Sequence, residues 1–301
     1  MIRVGSRKSP LAIAQTEEVL SQLRLRFPDE GFPVVTMETA GDRKKNAALL
    51  SLGRGTFSKE IERALLEGEI DLAVHSAKDL TATLPEGLAL AGIVARKDPR
   101  DALVNRWDAS LSQLPRGARI GTSSPRRAAQ LKALRLDLRV LPIRGNVGTR
   151  LDKAGGSEYD GVVLAAAGLV RLGRQAEIAE YLAPESFTPE VGQGTLAVEV
   201  RVGDTRTVRM LDAIDHRPSS TALKAERSFV QRLGGGCKVP VAAYARLVGR
   251  EIRILAMAGL PDGGRIFRAD VRCDAGDPVS AGIAAAEALL AEGAGEIVGP
   301  D

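Results

Sequence analysis

Four arginines lie in two short turn-forming segments of this 301-residue chain. Arg126 and Arg127 follow a Ser-Ser-Pro helix start, and Arg144 and Arg150 flank a Gly-Asn-Val-Gly turn. A helix N-terminus leaves backbone N–H groups unpaired, and guanidinium groups beside it grip carboxylate or phosphate through two hydrogen bonds. Any one of these arginines could instead belong to a solvated helix face. Four of them in Gly/Ser/Thr-rich turns favour a pocket for a ligand with several anionic groups.

Two internal echoes predict a duplicated scaffold that positions these residues. RVGSRKSPLAIAQ (residues 3–15) resembles RIGTSSPRRAAQ (residues 119–130), because both run from a strand through glycine, a hydroxyl residue and Ser-Pro into a helix. DLAVHSAKDL (residues 71–80) resembles DGVVLAAAGL (residues 160–169) in the same way. We therefore expect two similar α/β domains whose helix starts face a shared cleft. Ligands of open α/β folds bind at such strand carboxyl ends.

Asp79 distinguishes the two halves. The second half has Ala167 and Gly168 where the first has Lys78 and Asp79, so an acid stands on one side only. This asymmetry predicts a task for Asp79 beyond folding. The competing interpretation is that Asp79 simply caps the turn before Pro85.

Cys237 follows three glycines and precedes Lys238. Glycine permits close backbone approach, and a cationic neighbourhood favours the reactive thiolate. The pattern is consistent with a thiol presented into a cleft, although a lone cysteine also fits as a small buried hydrophobic residue. Cys273, in a predicted strand, keeps that second interpretation.

Composition narrows the classes of partner. The net charge of +4 with only 3% aromatic residues favours a small polyanion over nucleic acid, which needs stacking platforms. The two cysteines match no disulfide framework or zinc pattern, and the two histidines are far apart in sequence, so no metal site is expected. No apolar run approaches the roughly 18 residues of a membrane span, and MIRVGSRKSP does not resemble a signal peptide. We expect a cytoplasmic monomer without membrane contact.

Strand and helix patterns alternate over the first two hundred residues, which predicts α/β architecture with largely parallel sheets. The character changes from about residue 213, where a small α+β domain with an antiparallel sheet is predicted. Its expected elements are a helix over Ser219–Leu233, strands over Val241–Leu247, Glu251–Ala258 and Arg265–Val271, and a final helix over Pro278–Glu292.

Eight motifs occur in order between residues 6 and 240, namely SRKSPLA, HSAKD, DPRDA, GTSSPRR, RGNVGTRL, SEYDGVVLAAAGLVRLG, VGQG and GGGCKVP. In these motifs, and over its whole length, the chain resembles the porphobilinogen deaminase (hydroxymethylbilane synthase) family. The resemblance implies two domains similar to periplasmic binding proteins and a small C-terminal α+β domain with the cofactor cysteine. With chain crossings near residues 94 and 195, the implied domains are 1–94 with 195–212, 95–194, and 213–301.

The resemblance also implies a function. The family's enzymes are transferases of porphyrin and heme biosynthesis that join four porphobilinogen molecules head to tail, releasing ammonia at each step, to give the linear tetrapyrrole hydroxymethylbilane. A dipyrromethane cofactor is implied, linked by a thioether to Cys237, and Asp79 matches the catalytic carboxylate. The positions implied to bind acetate and propionate groups are Arg7, Ser9, Ser76, Lys78, Thr122, Ser124, Arg126, Arg127, Arg144, Arg150 and Arg171.

Elementary chemistry accounts for these residue types. Each porphobilinogen brings two carboxylates, so a growing chain accumulates negative charge that arginines neutralise. Loss of ammonia leaves a cationic azafulvene, which a carboxylate near the pyrrole N–H stabilises. We expect Arg126 and Arg127 to hold the cofactor, and Arg7 to receive incoming substrate.

Three positions depart from the family's pattern, and none removes a charge: Arg54 stands for lysine, Thr81 for proline and Pro125 for leucine. Residues 42–55 predict a flexible lid, and the further candidates for lid or cleft are Arg54, Phe57 and Gln193.

The alternative function is a non-catalytic, periplasmic-type binding protein for a small polyanion. That alternative explains the duplicated halves but not the C-terminal domain with its cysteine.

Overall fold

The structure, a computed structural model, describes residues 1–38, 58–234 and 239–298. The chain divides into two compact units, Met1–Lys97 with Thr195–Thr221, and Asp98–Gly194 with Ala222–Asp301. Each unit contains a five-stranded sheet, and the second unit also contains a three-stranded sheet. The predicted fold class is therefore confirmed, whereas the boundaries of the three predicted domains stay a prediction.

The elements in chain order are β1 (Val4–Arg7), α1 (Pro10–Arg26), β2 (Val34–Met37), α2 (Lys59–Leu66), β3 (Leu72–Ser76), β4 (Leu88–Ile93), β5 (Asp101–Asn105), β6 (Arg119–Gly121), α3 (Pro125–Leu134), β7 (Arg139–Leu141), α4 (Val147–Lys153), β8 (Gly161–Ala165), α5 (Ala166–Arg171), β9 (Glu180–Tyr181), β10 (Leu196–Arg201), α6 (Thr205–Asp212), α7 (Arg217–Arg232), β11 (Val241–Val248), β12 (Glu251–Gly259), β13 (Ile266–Asp274) and α8 (Pro278–Ala291). Short 3-10 turns lie between several of them, including Ala77–Asp79 directly after β3.

The two five-stranded sheets share one topology. Their strand orders are β2-β1-β3-β10-β4 and β7-β6-β8-β5-β9. In each sheet four strands point the same way, and the fourth strand in the order runs antiparallel to both neighbours. That reversed strand, β10 or β5, is the first strand after the chain passes from one unit to the other. Each sheet is thus mixed. Its antiparallel strand is the one that the chain forms just after it crosses from the other unit.

Matching ion pairs strengthen the case for duplication. In the first unit, the main-chain N–H and Nε of Arg3 donate to Oδ2 of Asp71 at 2.8 and 3.1 Å, and its Nη2 donates to Oδ1 at 2.9 Å. In the second unit, Arg119 makes the same three bonds to Asp160 at 2.9, 2.9 and 2.8 Å. These four residues occupy equivalent positions in the two sequence echoes. Each pair joins the starts of two adjacent parallel strands.

The predicted helix starts are confirmed in both echoes. Ser9 caps α1 by accepting a hydrogen bond from the Ala12 N–H at 3.2 Å, and Pro10 is the first helical residue. Ser124 caps α3 through the Arg127 N–H at 3.4 Å, and Pro125 follows it. Such caps satisfy donors that the helix leaves unpaired, and proline loses nothing at the first helical position.

The C-terminal sheet is antiparallel, in the order β11-β12-β13, as predicted. Its strand and helix bounds agree with the predicted ones to within three residues. Helix α8 packs on β12 and β13. It also touches α7, where a Cβ on Gly282 would lie 2.1 Å from the Ala225 carbonyl oxygen. Only a residue without a side chain fits this close approach.

Candidate active site

The start of α3 presents polar groups at the carboxyl end of β6. Thr122 directly follows the strand, and its main-chain N–H donates to the Leu141 carbonyl at 2.9 Å. Its buried hydroxyl accepts from the Ser124 N–H at 3.2 Å. Ser124 in turn caps the helix. This segment therefore combines a helix N-terminus with two hydroxyl groups, which suits it to bind an anion.

Arg126 and Arg127 lie in the first turn of α3, and both are buried. Their guanidinium groups converge on Asp101, the fully buried first residue of β5. Arg126 donates from Nη1 to Oδ2 at 2.7 Å and from Nη2 to Oδ1 at 3.2 Å, and Arg127 donates from Nε to Oδ1 at 2.8 Å. Although burial opposes its ionisation, the two guanidinium groups lower the pKa of Asp101 to about 2. One carboxylate thus sets the positions of two consecutive arginines.

Further partners occupy most of the remaining donors of these arginines. Arg126 donates from Nη1 to the Thr188 carbonyl at 2.7 Å and from Nε to Glu190 at 3.2 Å. Arg127 donates to the Val163 carbonyl at 3.2 Å and to the Gln193 side chain at 3.3 Å. The sequence predicts that both arginines bind a ligand directly. In the structure Arg126 uses four of its five N–H groups internally, and Arg127 uses at least three, with its Nη2 also 2.7 Å from Oδ1 of Asp101.

Arg150 lacks a carboxylate partner among the described residues. It lies in α4, and its Nε donates to the Gly145 carbonyl at 2.8 Å. Gly145 has φ +117°, a left-handed conformation that favours glycine. Burial, followed by the positive charge of Arg127, lowers the pKa of Arg150 to about 10. Arg150 stays charged at neutral pH, and an anion beside it would relieve both effects.

Arg144 and Arg171 complete the predicted cations of the second unit. Arg144 is exposed just before Gly145, and it forms no ion pair within the described parts of the chain. Arg171 ends α5, and its Nη2 donates to the Gly194 carbonyl at 3.1 Å. Arg150 and Arg144 thus belong to one turn, whereas Arg171 is tied to the segment that holds Gln193.

Gln193 belongs to the VGQG turn, where Gly192 and Gly194 have φ +73° and +87°. Its buried amide donates to the Pro99 carbonyl at 2.8 Å and to Asp101 at 3.1 Å. Buried Glu226 on α7 anchors this turn by accepting from the Gly192 N–H at 2.6 Å and from the Ala245 N–H of β11 at 2.8 Å. Gln193, predicted for the lid or cleft, is a fixed part of the Asp101 network.

The predicted residues of the first unit gather at one edge of its sheet. Arg7 ends β1 and Ser9 starts α1, while Ser76 ends β3 and Lys78 and Asp79 occupy the turn that follows. Because β1 and β3 are adjacent and parallel, their carboxyl ends share an edge. Asp79 is half-buried there. The turn is held by the Ala77 N–H, which donates to the Thr195 carbonyl at 3.0 Å.

Some predicted residues lie outside the described parts of the chain, namely Cys237, Arg54, Phe57 and the proposed lid over residues 42–55. Cys273 is described and is half-buried on β13. Over residues 1–38, 58–234 and 239–298, no group of three His, Cys, Asp or Glu side chains is placed to hold a metal ion. In the same ranges no helix is long and apolar enough to cross a membrane.

Asp101, Glu190 and Glu226 were missed as site residues in the sequence. Asp101 belongs to the DPRDA motif, and its signal was an acid at the start of an otherwise apolar strand, DALVN. Glu190 precedes VGQG by one residue, so it was near a recognised motif. Glu226 had no local signal, because a glutamate within a helix is ordinary.

Comparisons with known proteins agree with one another. Residues 2–209 match the family model described as "Porphobilinogen deaminase, dipyromethane cofactor binding domain", and residues 220–291 match "Porphobilinogen deaminase, C-terminal domain". A porphobilinogen deaminase of Alkaliphilus metalliredigens is 46% identical over 298 residues, covering 99% of this chain and 94% of that protein. One of Pelotomaculum thermopropionicum is 45% identical over 298 residues, covering 99% and 96%.

Among solved structures, a nutrient-binding protein from Burkholderia cenocepacia bound to methionine aligns with a TM-score of 0.45 and 13% identity. The alignment covers 79% of this chain and 98% of that one. This similarity is too low for any conclusion about the site.

Proposed function

This chain belongs to the porphobilinogen deaminase family and condenses porphobilinogen into the linear tetrapyrrole hydroxymethylbilane; we propose that Asp79 is its catalytic carboxylate and that Cys237 anchors its dipyrromethane cofactor. The motifs HSAKD and GGGCKVP support these two assignments. The three-domain division, the monomeric state and the cytoplasmic location remain predictions beside them.

The observation that supports the anionic site best is the position of Arg150. Asp101 and Glu190 offset two of the three cations Arg126, Arg127 and Arg150, so these five groups have a net charge of +1 when all are ionised. Arg150 is half-buried, which disfavours a cation without a carboxylate partner, and the repulsion of Arg127 adds to that cost. A ligand carboxylate at Arg150 removes both penalties. The residues of the second unit therefore fit a group with several carboxylates.

The cofactor, when bound, supplies the pyrrole carbon to which the first substrate is joined. In our proposal the protein holds its acetate and propionate groups with Arg150, Arg144, Arg127 and the polar start of α3. Arg126 acts differently from the sequence prediction, because Asp101, Glu190 and Thr188 already occupy most of its donors. We assign it to holding Asp101, and thereby Arg127, in place.

Asp79 has the chemistry that ammonia loss requires. The substrate develops positive charge as ammonia leaves its aminomethyl group, whose methylene carbon stays on the ring, and a fixed carboxylate stabilises that charge. The same carboxylate accepts a hydrogen bond from a pyrrole N–H and so orients the ring. Arg7, Ser9, Ser76 and Lys78 stand at the same sheet edge and bind the substrate's carboxylates. Basic and hydroxyl groups beside a single acid thus provide binding and charge stabilisation together.

Intact-mass spectrometry tests the cofactor assignment. The wild-type mass should exceed the sequence mass by two linked pyrrole units, and Cys237→Ser should lose this increment with all turnover. Cys273→Ser is the matched control and should keep both. Arg150→Leu should lose most of the increment, whereas Arg139→Leu, at an exposed arginine of β7, should keep it. An active wild-type protein of unmodified mass would refute the assignment.

A further inference from the structure

Three titratable side chains are buried together in the first unit, and none of them is among the residues assigned above. Glu62 lies on α2, His75 on β3 and Glu199 on β10, with exposures of 7%, 6% and 0%. The Nε2 atom of His75 is 3.0 Å from Oε2 of Glu199. We call these three residues the Glu62 cluster. Its members are buried more deeply than Asp79, and no step of the reaction uses them.

The cluster has an unusual hydrogen-bond deficit. Oε1 of Glu62, Nε2 of His75 and both carboxylate oxygens of Glu199 have no hydrogen-bond partner of good geometry. Buried apolar residues of α2, of β3 and of the segment between them form a hydrophobic core in this unit: Ile61, Ala64, Leu65, Ile70 and Ala73. Buried polar atoms are normally paired, and an unpaired buried charge is costly. Two ionised carboxylates beside one imidazole cannot all be satisfied here.

A single proton on Glu62 removes much of this deficit. A protonated carboxyl group becomes a donor, and Glu199, whose charge acts on Glu62, has two acceptor oxygens without a hydrogen-bond partner. Burial raises the pKa of Glu62, and the charge of Glu199 raises it further, while the Ser58 hydrogen bond, His75 and Lys59 oppose the shift. The geometry and the charges thus favour the same protonation state.

Besides Lys59, the described elements around the cluster carry further charged groups. Glu60, on α2, adds a further acid with one buried oxygen. Arg201, on β10, is held by the Leu65 and Ile70 carbonyls at 2.8 and 2.5 Å and by Asp71 at 3.1 Å. Arg7, on β1, stands on the same face as Gly5, two residues beyond it at the carboxyl edge. Strand β4 is LALAGI and has no charged residue.

The cluster lies directly before the turn that contains Asp79. His75 precedes Ser76, and in the β3–β10 register it stands opposite Ala197, while Ser76 stands opposite Leu196. The next contact along this ladder is the hydrogen bond from the Ala77 N–H to the Thr195 carbonyl. Any shift of β3 against β10 or α2 therefore displaces the turn itself.

We propose that Glu62 remains protonated in the folded chain, donates to Glu199 beside His75, and so positions the Ala77–Asp79 turn for the reaction. Glu62 is a positioning residue and does not touch the substrate. The effect on turnover rests on the function proposed for Asp79, whereas the protonation of Glu62 does not. The two parts can therefore be tested separately.

The direction of the pH dependence follows from the raised pKa. A carboxyl group whose pKa is higher in the folded chain stabilises it fully below the unfolded value of about 4.3. This contribution declines as the pH rises above that value and is lost once the pH passes the folded value. Within that window the folding equilibrium constant falls about tenfold per pH unit, which corresponds to about 1.4 kcal/mol.

The test compares wild type with Glu62→Gln, whose amide stays neutral and still donates. Urea unfolding is measured from about pH 4 to 9, and the ratio of the two folding constants is plotted against pH. We expect the ratio of the variant's folding constant to that of wild type to rise about tenfold per pH unit within the window. Glu67→Gln, at the exposed end of the same helix, is the control and should show a flat ratio. A flat ratio for Glu62→Gln overturns the proposal.

A second measurement needs no variant to fold. Infrared difference spectra of wild type at neutral pH should show the C=O stretching band of a buried protonated carboxyl group. Its absence overturns the proposal equally.

Activity separates this proposal from the role of Asp79. Glu62→Gln should keep kcat to higher pH than wild type, with KM unchanged. Asp79→Asn should lose turnover while its stability keeps the wild-type pH dependence. An active Asp79→Asn would refute the catalytic assignment and leave the stability test intact. Identical pH profiles of kcat for wild type and Glu62→Gln would refute the positioning role.

Discussion

Asp79 is a half-buried carboxylate in a short 3-10 turn, directly beyond a buried strand. The equivalent turn of the second unit has Gly168, so the duplicated scaffold places a side chain here without requiring an acid for folding. The hydrogen bonds that hold the turn come from main-chain atoms of Ala77, Leu80 and Thr195. The carboxylate is therefore available for chemistry, and its removal should leave the turn intact.

Asp79→Asn should retain fold and cofactor but lose turnover by roughly 10²–10³-fold. Loss of a charge that stabilises a developing cation costs on the order of 3–4 kcal/mol in the transition state. Porphobilinogen consumption gives the rate, and intact mass gives the cofactor content of the same sample. Asp212→Asn, at the exposed end of α6, is the control. A variant with normal cofactor content and more than about a tenth of wild-type turnover contradicts the catalytic role.

At the scale of elements, β5 and the start of α3 are joined by one carboxylate with two arginines. Consecutive residues on a helix point in different directions, so Arg126 and Arg127 converge only because Asp101 lies between them. The start of β5 supplies that carboxylate, and the VGQG turn adds Gln193 as a further donor to it. The proposed anion site therefore depends on a strand, a helix and a turn from three separate stretches of sequence.

Asp101→Asn should lower the free energy of unfolding by about 3–5 kcal/mol, because it leaves buried arginines without their shared counter-charge. Urea unfolding measures this loss. The net charge of the five groups rises from +1 to +2, so citrate should stabilise the variant more than it stabilises wild type.

Glu190→Gln is the control for Asp101→Asn. Its carboxylate is partly exposed and accepts a hydrogen bond from Arg126 at 3.2 Å. Glu190→Gln should therefore lower the free energy of unfolding by less than half as much as Asp101→Asn does. An equal loss in the two variants would show that Asp101 has no special position.

At the scale of the whole molecule, each unit has the same ion pair at the base of its sheet. The arginine partner lowers the pKa of Asp71 to about 2 in the first unit and that of Asp160 to about 2 in the second. Because these pKa values are depressed, their contribution is present above the unfolded value of about 3.9 and is lost as the pH falls toward 2. Both units should thus weaken over the same acid range.

Asp71→Asn and Asp160→Asn should each lower stability at pH 7 and flatten its decline between about pH 4 and 2. Circular dichroism during urea titration at several pH values measures both effects. Asp29→Asn, at an exposed position of the first unit, should leave the curve unchanged. If the stability of both variants declines between about pH 4 and 2 as steeply as that of wild type, the duplicated pairs do not stabilise the sheets.

The sequence by itself determined the local elements and the family. Ser-Pro helix starts, apolar strands and glycine turns act through neighbouring residues, so the starts of α1 and α3 could be predicted as observed. The two echoes predicted the duplication, because equivalent strands need equivalent residues at their ends. The motifs from SRKSPLA to GGGCKVP identified the family, and with it the reaction.

Only the tertiary structure decided how the charges are paired. Asp101 is separated from Arg126 by 25 residues and from Gln193 by 92, and no local pattern indicates that they meet. The sequence predicted five anion-binding arginines in the second unit, whereas folding pairs Arg126 with Asp101 and Glu190 and leaves Arg150 without a carboxylate partner among the described residues. The Glu62 cluster arises in the same way, from a helix and two strands that bury three ordinary residues side by side. Ionisation depends on burial and on neighbours in space, and both are set by packing rather than by position in the chain.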